Sequence, residues 1–202
     1  MNNIGFISNR GINPIIILII LTIVGSLVSD FIGCVLFIIT LFTIYIFRDT
    51  KKYIYENSDS VLSPVDGKII AIDKIDNKYR IYCKVSLLDN HAVRAPFDSE
   101  LKVKNYHKGL NLDPNTLKSK TLNEQVTYKF HSEDKKVSLK LKLLSGFFNI
   151  AIQRDEEKKV SQGESISFFI DGMAIITVKE TNRLLVNIGD KLSSGQSVLY
   201  KK

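Results

Sequence analysis

A stretch of 34 residues with a single charge is the feature that most constrains the fold of this 202-residue chain. Residues 14–47, PIIILIILTIVGSLVSDFIGCVLFIITLFTIYIF, contain only Asp30, whereas the chain from Arg48 onward is densely charged. The run is longer than the apolar core of a signal peptide, and no small-residue cleavage site follows it. It predicts a membrane segment, residues 1–47, followed by a separate domain, residues 48–202.

One straight helix fits the apolar run poorly, because 34 helical residues extend roughly 50 Å against a hydrocarbon core of roughly 30 Å. The polar pair Ser29–Asp30 divides the run, which predicts a hairpin of helices at about 15–28 and 31–47. Gly25 and Ser26 are expected to let the two helices approach closely. The first helix is short for a complete crossing, so a spanning and a shallow hairpin both remain open.

Basic residues flank the hairpin on both sides: Arg10 precedes it, and Arg48, Lys51 and Lys52 follow it. By the positive-inside rule both ends face the cytoplasm, which predicts an inner-membrane protein whose domain lies on the cytoplasmic face. The formal net charge is +7, and a basic domain at that surface is attracted to anionic phospholipid. Nucleic acid is not an expected partner, because the chain has no basic helix, zinc spacing or aromatic–basic motif.

The two cysteines exclude a disulfide framework. Cys34 lies in the apolar run and Cys83 in a predicted strand, and neither has a Cys or His at metal-ligand spacing. A reduced cytosol is expected, and no metal site is predicted.

Strand patterns dominate the second domain. Turn sequences such as SPVDG, IDNK and NIGD separate apolar or alternating runs, and residues 107–125 form a long polar loop. The segment VNIGDKLSSGQSVL, 186–199, resembles the hairpin of lipoyl-type β-sandwich barrels. We therefore predict a mainly-β, compact sandwich- or barrel-like domain. Its strands are expected at 68–72, 79–87, 137–144, 147–153, 165–170, 174–178, 184–188 and 197–200.

Three polar segments are candidates for chemistry. Asp66 lies in VLSPVDGKII, a sequence in which an Asp often only shapes a turn. The segment LLDNHAVRAP places Asp89, His91 and Arg94 within six residues, a set suited to a general base or an anion site. His107, in YHKG, stands at the start of the long loop.

The ordered set FRDTKK, LSPVDGKI, LLDNHAVRAP, YHKG and NEQ resembles phosphatidylserine decarboxylase of the short bacterial type, over essentially the whole chain. The family removes CO₂ from phosphatidylserine to form phosphatidylethanolamine. Its electron sink is a pyruvoyl group, which forms when a Ser attacks the carbonyl of the preceding Gly and the chain splits. The resemblance implies catalytic positions at Asp66 and His91 and substrate-binding positions at Arg94 and His107.

This chain departs from the family at the serine itself. The matching segment is FIDGMAIITV, in which Gly172 keeps the glycine and Met173 takes the serine's place. A thioether has no proton to lose, so no pyruvoyl cofactor is expected. The sole Gly-Ser dipeptide of the chain is Gly25–Ser26, inside the apolar run. Using Ser165 or Ser167 would require a register shift of several residues, and a shift of even one residue reverses a strand's faces.

The leading hypothesis is a divergent family member that does not process itself and that binds anionic phospholipid or a partner, such as a second copy or an active paralogue. One alternative is an active decarboxylase with an unrecognised serine. Another is a non-enzymatic lipid- or partner-binding membrane module. Wide separation of Asp66, His91 and residue 173 would favour this last alternative.

Overall fold

The computed structural model describes residues 8–48, 59–132, 137–149, 152–154, 157–179 and 183–201. The chain divides into two compact units, Met1–Lys51 and Lys52–Lys202, and each unit is described by itself. The predicted basic flank at Lys51 and Lys52 lies outside the described residues.

The first unit is a pair of helices, α1 (Asn9–Val28) and α2 (Asp30–Ile46). Ser29 is extended, with φ −162° and ψ 134°, and separates them. Glycine allows the close approach: a Cβ on Gly33 would lie 2.9 Å from the Cα of Ser26. The hydroxyl oxygens of Thr22 and Thr40 share a hydrogen bond of 3.1 Å between the helices.

Helix α1 begins at Asn9, six residues before the predicted start at about residue 15, and it contains Pro14. Tertiary contacts explain the difference. The Ser8 N–H donates to the Phe47 carbonyl at 2.9 Å, and Gly11 lies directly against the Phe47 side chain. The free energy gained when the first turn packs against the end of α2 therefore outweighs the loss of one backbone hydrogen bond, which the proline cannot donate.

The earlier start makes α1 long enough to cross a membrane. Its segment Gly11–Val28 is 18 residues long with a mean hydropathy of 2.4, whereas α2 is a shorter apolar helix. Large apolar side chains point outward from this unit, with Leu27 84% and Phe31 77% exposed. Exposed apolar surface of this extent points to membrane association.

The second unit is mainly β, as predicted, with one short helix, α3 (Ser119–Leu122), among its described residues. Its strands are β1 (Ser60–Leu62), β2 (Gly67–Ile75), β3 (Lys78–Val85), β4 (Ala92–Arg94), β5 (Ser99–His107), β6 (Gln125–Ser132), β7 (Val137–Ser145), β8 (Gln153–Arg154), β9 (Lys158–Val160), β10 (Ser165–Phe168), β11 (Gly172–Lys179), β12 (Lys191–Leu192) and β13 (Val198–Lys201).

The strands form three antiparallel sheets. The largest has eight strands in the order β12-β2-β3-β11-β7-β6-β5-β9. A three-stranded sheet has the order β4-β10-β8, and β1 pairs with β13. One hydrophobic cluster contains members of all three sheets, for example Leu141, Ile166 and Leu199.

Alternation places the core on one face of the large sheet. Leu139, Leu141 and Leu143 of β7 are buried, while Lys140 and Lys142 between them lie on the opposite face. A period of two has this effect in a strand. The same opposite face carries several cations at paired positions: the register aligns Lys102 with Lys129 and Lys129 with Lys140.

Several strands differ from the prediction. Strands β5 and β6 were not predicted, because Lys, Asn and His interrupt their apolar patterns. In the predicted strand 147–153, residues 147–149 form a turn and residues 150–151 lie outside the described residues. In the predicted strand 184–188, only Leu184 makes a bridge, to Tyr200.

The predicted hairpin at 186–199 is present in part. Its tight turn exists, with Gly189 at φ 97°, but β12 pairs with β2 and β13 pairs with β1. Pairing between the two arms is limited to the Leu184–Tyr200 bridge and the hydrogen bond from the Leu185 N–H to the Leu199 carbonyl.

The buried Cys83 thiol is expected to be chemically inert. Burial raises its pKa to about 12, and the charges of Asp89 and Asp66 add to the effect. At pH 8 a thiol of that pKa is ionised in roughly one molecule in ten thousand, and the thiolate is the reactive form.

We expect a Cys34→Ser variant to take up no maleimide when native and one per chain after unfolding, as measured by intact mass. One adduct on the native protein would contradict this.

Candidate active site

Asp66 fixes the turn 63–67 to a segment near the end of the chain. Its Oδ1 accepts a hydrogen bond of 2.7 Å from the Ser194 backbone N–H. The next residue, Gly67, has φ +146°, and a Cβ there would lie 2.4 Å from the Lys84 carbonyl oxygen. This hydrogen bond of Asp66 is therefore with a residue 128 positions away and not within its own turn.

His91 is almost completely buried, with 1% of its surface exposed. Its Nε2 lies 3.3 Å from the Ser86 carbonyl oxygen, and its ring meets Phe168 edge to face at 5.7 Å between centroids. Asp89 also contacts Ser86: its Oδ2 accepts hydrogen bonds from the Ser86 N–H at 3.0 Å and from the Ser86 hydroxyl at 2.9 Å. Asp89 thus orders the carbonyl that faces the imidazole.

Asp66 and His91 line the same narrow cleft, with Val85 and Phe169 among its other walls. The cleft has no room for a water molecule. The structure therefore brings together two residues 25 positions apart, which does not favour a module in which they would lie far apart. Their catalytic roles remain predictions that follow from the resemblance.

Gly172 and Met173 begin strand β11, next to this cleft. Gly172 has φ +140°, and a Cβ on it would lie 2.8 Å from the Phe169 ring, which also lines the cleft. In the register Gly172 is opposite Val85 and Ser145. The glycine therefore packs against a wall of the Asp66–His91 cleft.

The Met173 side chain lies instead in a second cavity, of about 450 Å³. This cavity, here called the cationic cavity, lies between strands β3, β7 and β11 and the loop 108–124. Leu144, Met173 and Ile175 supply its apolar surface. Neither Asp66 nor His91 lines it. The structure therefore separates the side chain at position 173 from the pair in the cleft.

Three cations border the cationic cavity: Arg80 from β3, Lys142 from β7 and Lys120 from α3. Burial lowers the pKa of the Lys142 ammonium below its usual range, and the charge of Lys140 lowers it further. Desolvation and a like charge both disfavour the protonated amine. A negative charge beside the amine would favour its protonated form and so oppose both effects.

Arg94 and His107, predicted to bind substrate, line neither cavity. Arg94 is 8% exposed, and its Nη1 donates to the Gly163 carbonyl at 3.0 Å. His107 is exposed at the end of β5, opposite Gln125. The structure thus places the Arg94 side chain, at the end of β4, against the 161–164 turn, and His107 at the surface.

A buried polar cluster beside Gly172 was missed as a site. The Asn123 Nδ2 donates to the carbonyls of Leu112 at 2.6 Å and Ser145 at 2.7 Å. The adjacent Glu124 accepts from the Tyr106 hydroxyl at 2.9 Å and from the Ile152 N–H at 3.0 Å. Its sequence signal is the NEQ motif at 123–125. The cluster holds the loop 108–124 over the cationic cavity.

Comparison with known proteins identifies the family. Residues 39–200 match the family described as phosphatidylserine decarboxylase. Because that match covers most of the chain, the protein belongs to the phosphatidylserine decarboxylase family.

Individual relatives are similar along their whole length. The phosphatidylserine decarboxylase proenzyme of Syntrophus aciditrophicus (strain SB) is 29% identical over 214 residues, covering 98% of this chain and 99% of that protein. The proenzyme of Pelagibacter ubique (strain HTCC1062) is 25% identical over 209 residues, covering 97% and 96%. No solved structure gives a significant match.

Proposed function

We propose that this chain is a family member that does not cut itself, carries no pyruvoyl group and acts as a phospholipid-binding protein at a membrane. The observation that carries the proposal is the residue after Gly172, which is a methionine. A pyruvoyl group derives from a side chain that first attacks and is then eliminated through its hydroxyl oxygen. Met173 has no such oxygen, so the residue present does not fit the group.

Nearby serines do not offer an obvious replacement. Ser145 is opposite Gly172, but its hydroxyl is hydrogen-bonded to the Leu110 carbonyl at 3.2 Å and it follows a leucine. Ser167 is fully buried in β10, paired with Val93. Neither follows a glycine, so a replacement would need both a new cut site and a new base.

Two features support the membrane part of the proposal. Helix α1 is long and apolar enough to cross a bilayer. The chain also has a formal net charge of +7, which favours binding to an anionic membrane surface. The sequence predicts an inner-membrane location with the β domain in the cytoplasm, and this topology remains part of the proposal.

The test is the intact mass of the full chain purified in a mild detergent. We expect one species near 22.9 kDa, because no hydroxyl is available to start the cut. Two fragments, one of them with a blocked N-terminus, would overturn the proposal and identify the serine used.

A Met173→Ser variant extends this test. We expect it to stay uncut as well, because the side chain at 173 lies in the cationic cavity while Asp66 and His91 line the other cleft. Cleavage of this variant after residue 172 would show that the serine is the only missing component.

A further inference from the structure

The cationic cavity carries features that neither the turn at Asp66 nor the family's chemistry explains. We infer that it binds an anionic phosphate ester, and that it prefers one without an amino group. The inference rests on the proposed function, since a pyruvoyl group at position 173 would instead capture an amine. A volume of about 450 Å³ suits a lipid headgroup or a small phosphorylated molecule.

The first argument is the convergence of charge. Arg80, Lys120 and Lys142 come from three different elements and meet at one cavity. None of the three forms an ion pair with a carboxylate among the described residues. Asp73 lies opposite Arg80 in the β2–β3 register, whereas Lys142 lies opposite Thr127 and Ile175. Like charges that converge with too little counter-charge destabilise a fold. A phosphate would supply that counter-charge and accept hydrogen bonds from both kinds of cation.

The second argument is the composition of the cavity wall. Leu144, Met173 and Ile175 offer apolar surface beside the cations. A bare inorganic anion gains nothing from such surface, whereas the glycerol or acyl carbons of an ester bury apolar area against it. The combination of cations and apolar side chains therefore favours an ester of phosphate over the free ion.

The third argument concerns the headgroup. The described residues that line the cavity include no Asp or Glu. An ammonium group would find no carboxylate in this lining and would meet three cations instead. Phosphatidic acid or glycerol 3-phosphate therefore fits the cavity better than phosphatidylserine, which carries an amine.

A second basic cavity adjoins the first. It has a volume of about 290 Å³ and is lined by Lys104, Lys140 and Lys142, so Lys142 belongs to both. Positive charge thus continues along the sheet from the cationic cavity, which increases the local concentration of anions.

The experiment is native mass spectrometry of the full chain in a neutral detergent. The probes are dioctanoyl phosphatidic acid, dioctanoyl phosphatidylserine, dioctanoyl phosphatidylcholine and glycerol 3-phosphate. We expect one saturable adduct per chain with phosphatidic acid, weaker binding of phosphatidylserine and none with phosphatidylcholine. Binding of glycerol 3-phosphate at similar affinity would assign a soluble ligand, and binding of the acylated form alone would assign a lipid.

Matched variants locate the site. Lys142→Met combined with Lys120→Met removes two charges from the cavity at similar side-chain length, and we expect affinity to fall about tenfold or more. Lys129→Met removes an exposed charge from the same sheet face outside the cavity, and we expect less than about a twofold change.

Three results would overturn the inference. They are the absence of a saturable adduct with every phosphate ester, equal binding by the cavity variant and the Lys129→Met control, and tighter binding of phosphatidylserine than of phosphatidic acid. Each spectrum also reports the protein mass. An uncut chain that fails to bind would sink this inference alone, whereas a cut chain would sink the proposed function.

Discussion

Replacing Gly172 by alanine is expected to destabilise the β domain by about 3 kcal/mol or more. Two costs add. At φ +140° an L-residue is strained by about 1–3 kcal/mol. A Cβ would also lie 2.2 Å from the Leu144 carbonyl oxygen, 2.7 Å from the Gly146 nitrogen and 2.8 Å from the Phe169 ring. Two of these neighbours are backbone atoms of a paired strand and its turn, so relief requires that β7 and β11 move apart.

Gly189 provides the matched control. It also has a positive φ, +97°, but a Cβ there would meet nothing within 4 Å. Gly189→Ala therefore isolates the conformational cost, expected near 1 kcal/mol. For a domain of this size the two variants should lower the melting temperature by about 6–12 °C and 2–4 °C respectively. Thermal unfolding of the full chain followed by circular dichroism measures both, and equal shifts would show that crowding at Gly172 is not the cause.

This result bears on why the glycine is present without the serine that should follow it. In the family that the chain resembles, this glycine supplies the carbonyl that is attacked. Here the fold needs Gly172 on steric grounds alone, because β7 approaches too closely for any side chain. Retention of the glycine is therefore no sign of surviving chemistry.

The elements that could be predicted from the sequence are those with a local signal. Strands β7 and β11 alternate or run apolar, and the structure has them within two residues of the predicted bounds. The predicted start of helix α1 was too late because the contact of its first turn with Phe47 is with a residue distant in sequence. The same reason applies to the pairing of β12 and β13 with β2 and β1.

The candidate site also has a part that could be predicted from the sequence and a part that could not. Asp66 and His91 were found by motif, yet their shared cleft depends on the packing of Phe169 and Val85 between distant strands. The cationic cavity has no sequence signature, because Arg80, Lys120 and Lys142 lie in segments that carry many other basic residues. Only the strand register and the fold of the loop 108–124 select these three.

The folded position of the loop 108–124 depends on the Asn123 side chain, and the Asn123→Ala substitution is expected to let the loop open. Asn123 is fully buried, donates to the Leu112 and Ser145 carbonyls and accepts from the Leu112 N–H at 3.0 Å. Alanine leaves these backbone groups without their partner, at about 1–3 kcal/mol for each that stays buried. We expect a loss of about 2–5 kcal/mol in the free energy of unfolding, mainly through local opening of the loop.

Limited trypsin digestion detects such opening, because Lys118 and Lys120 lie within the loop and both are exposed. We expect cleavage there to accelerate at least tenfold in Asn123→Ala, since about 1.4 kcal/mol of local stability corresponds to a tenfold rise in the open population. Asn115→Ala is the control: the same substitution in the same loop removes an exposed contact with Asp113 and should change the rate less than about threefold. Similar rates for the two variants would mean that the loop is held by its short helix and backbone contacts, and that Lys120 reaches the cationic cavity without the help of Asn123.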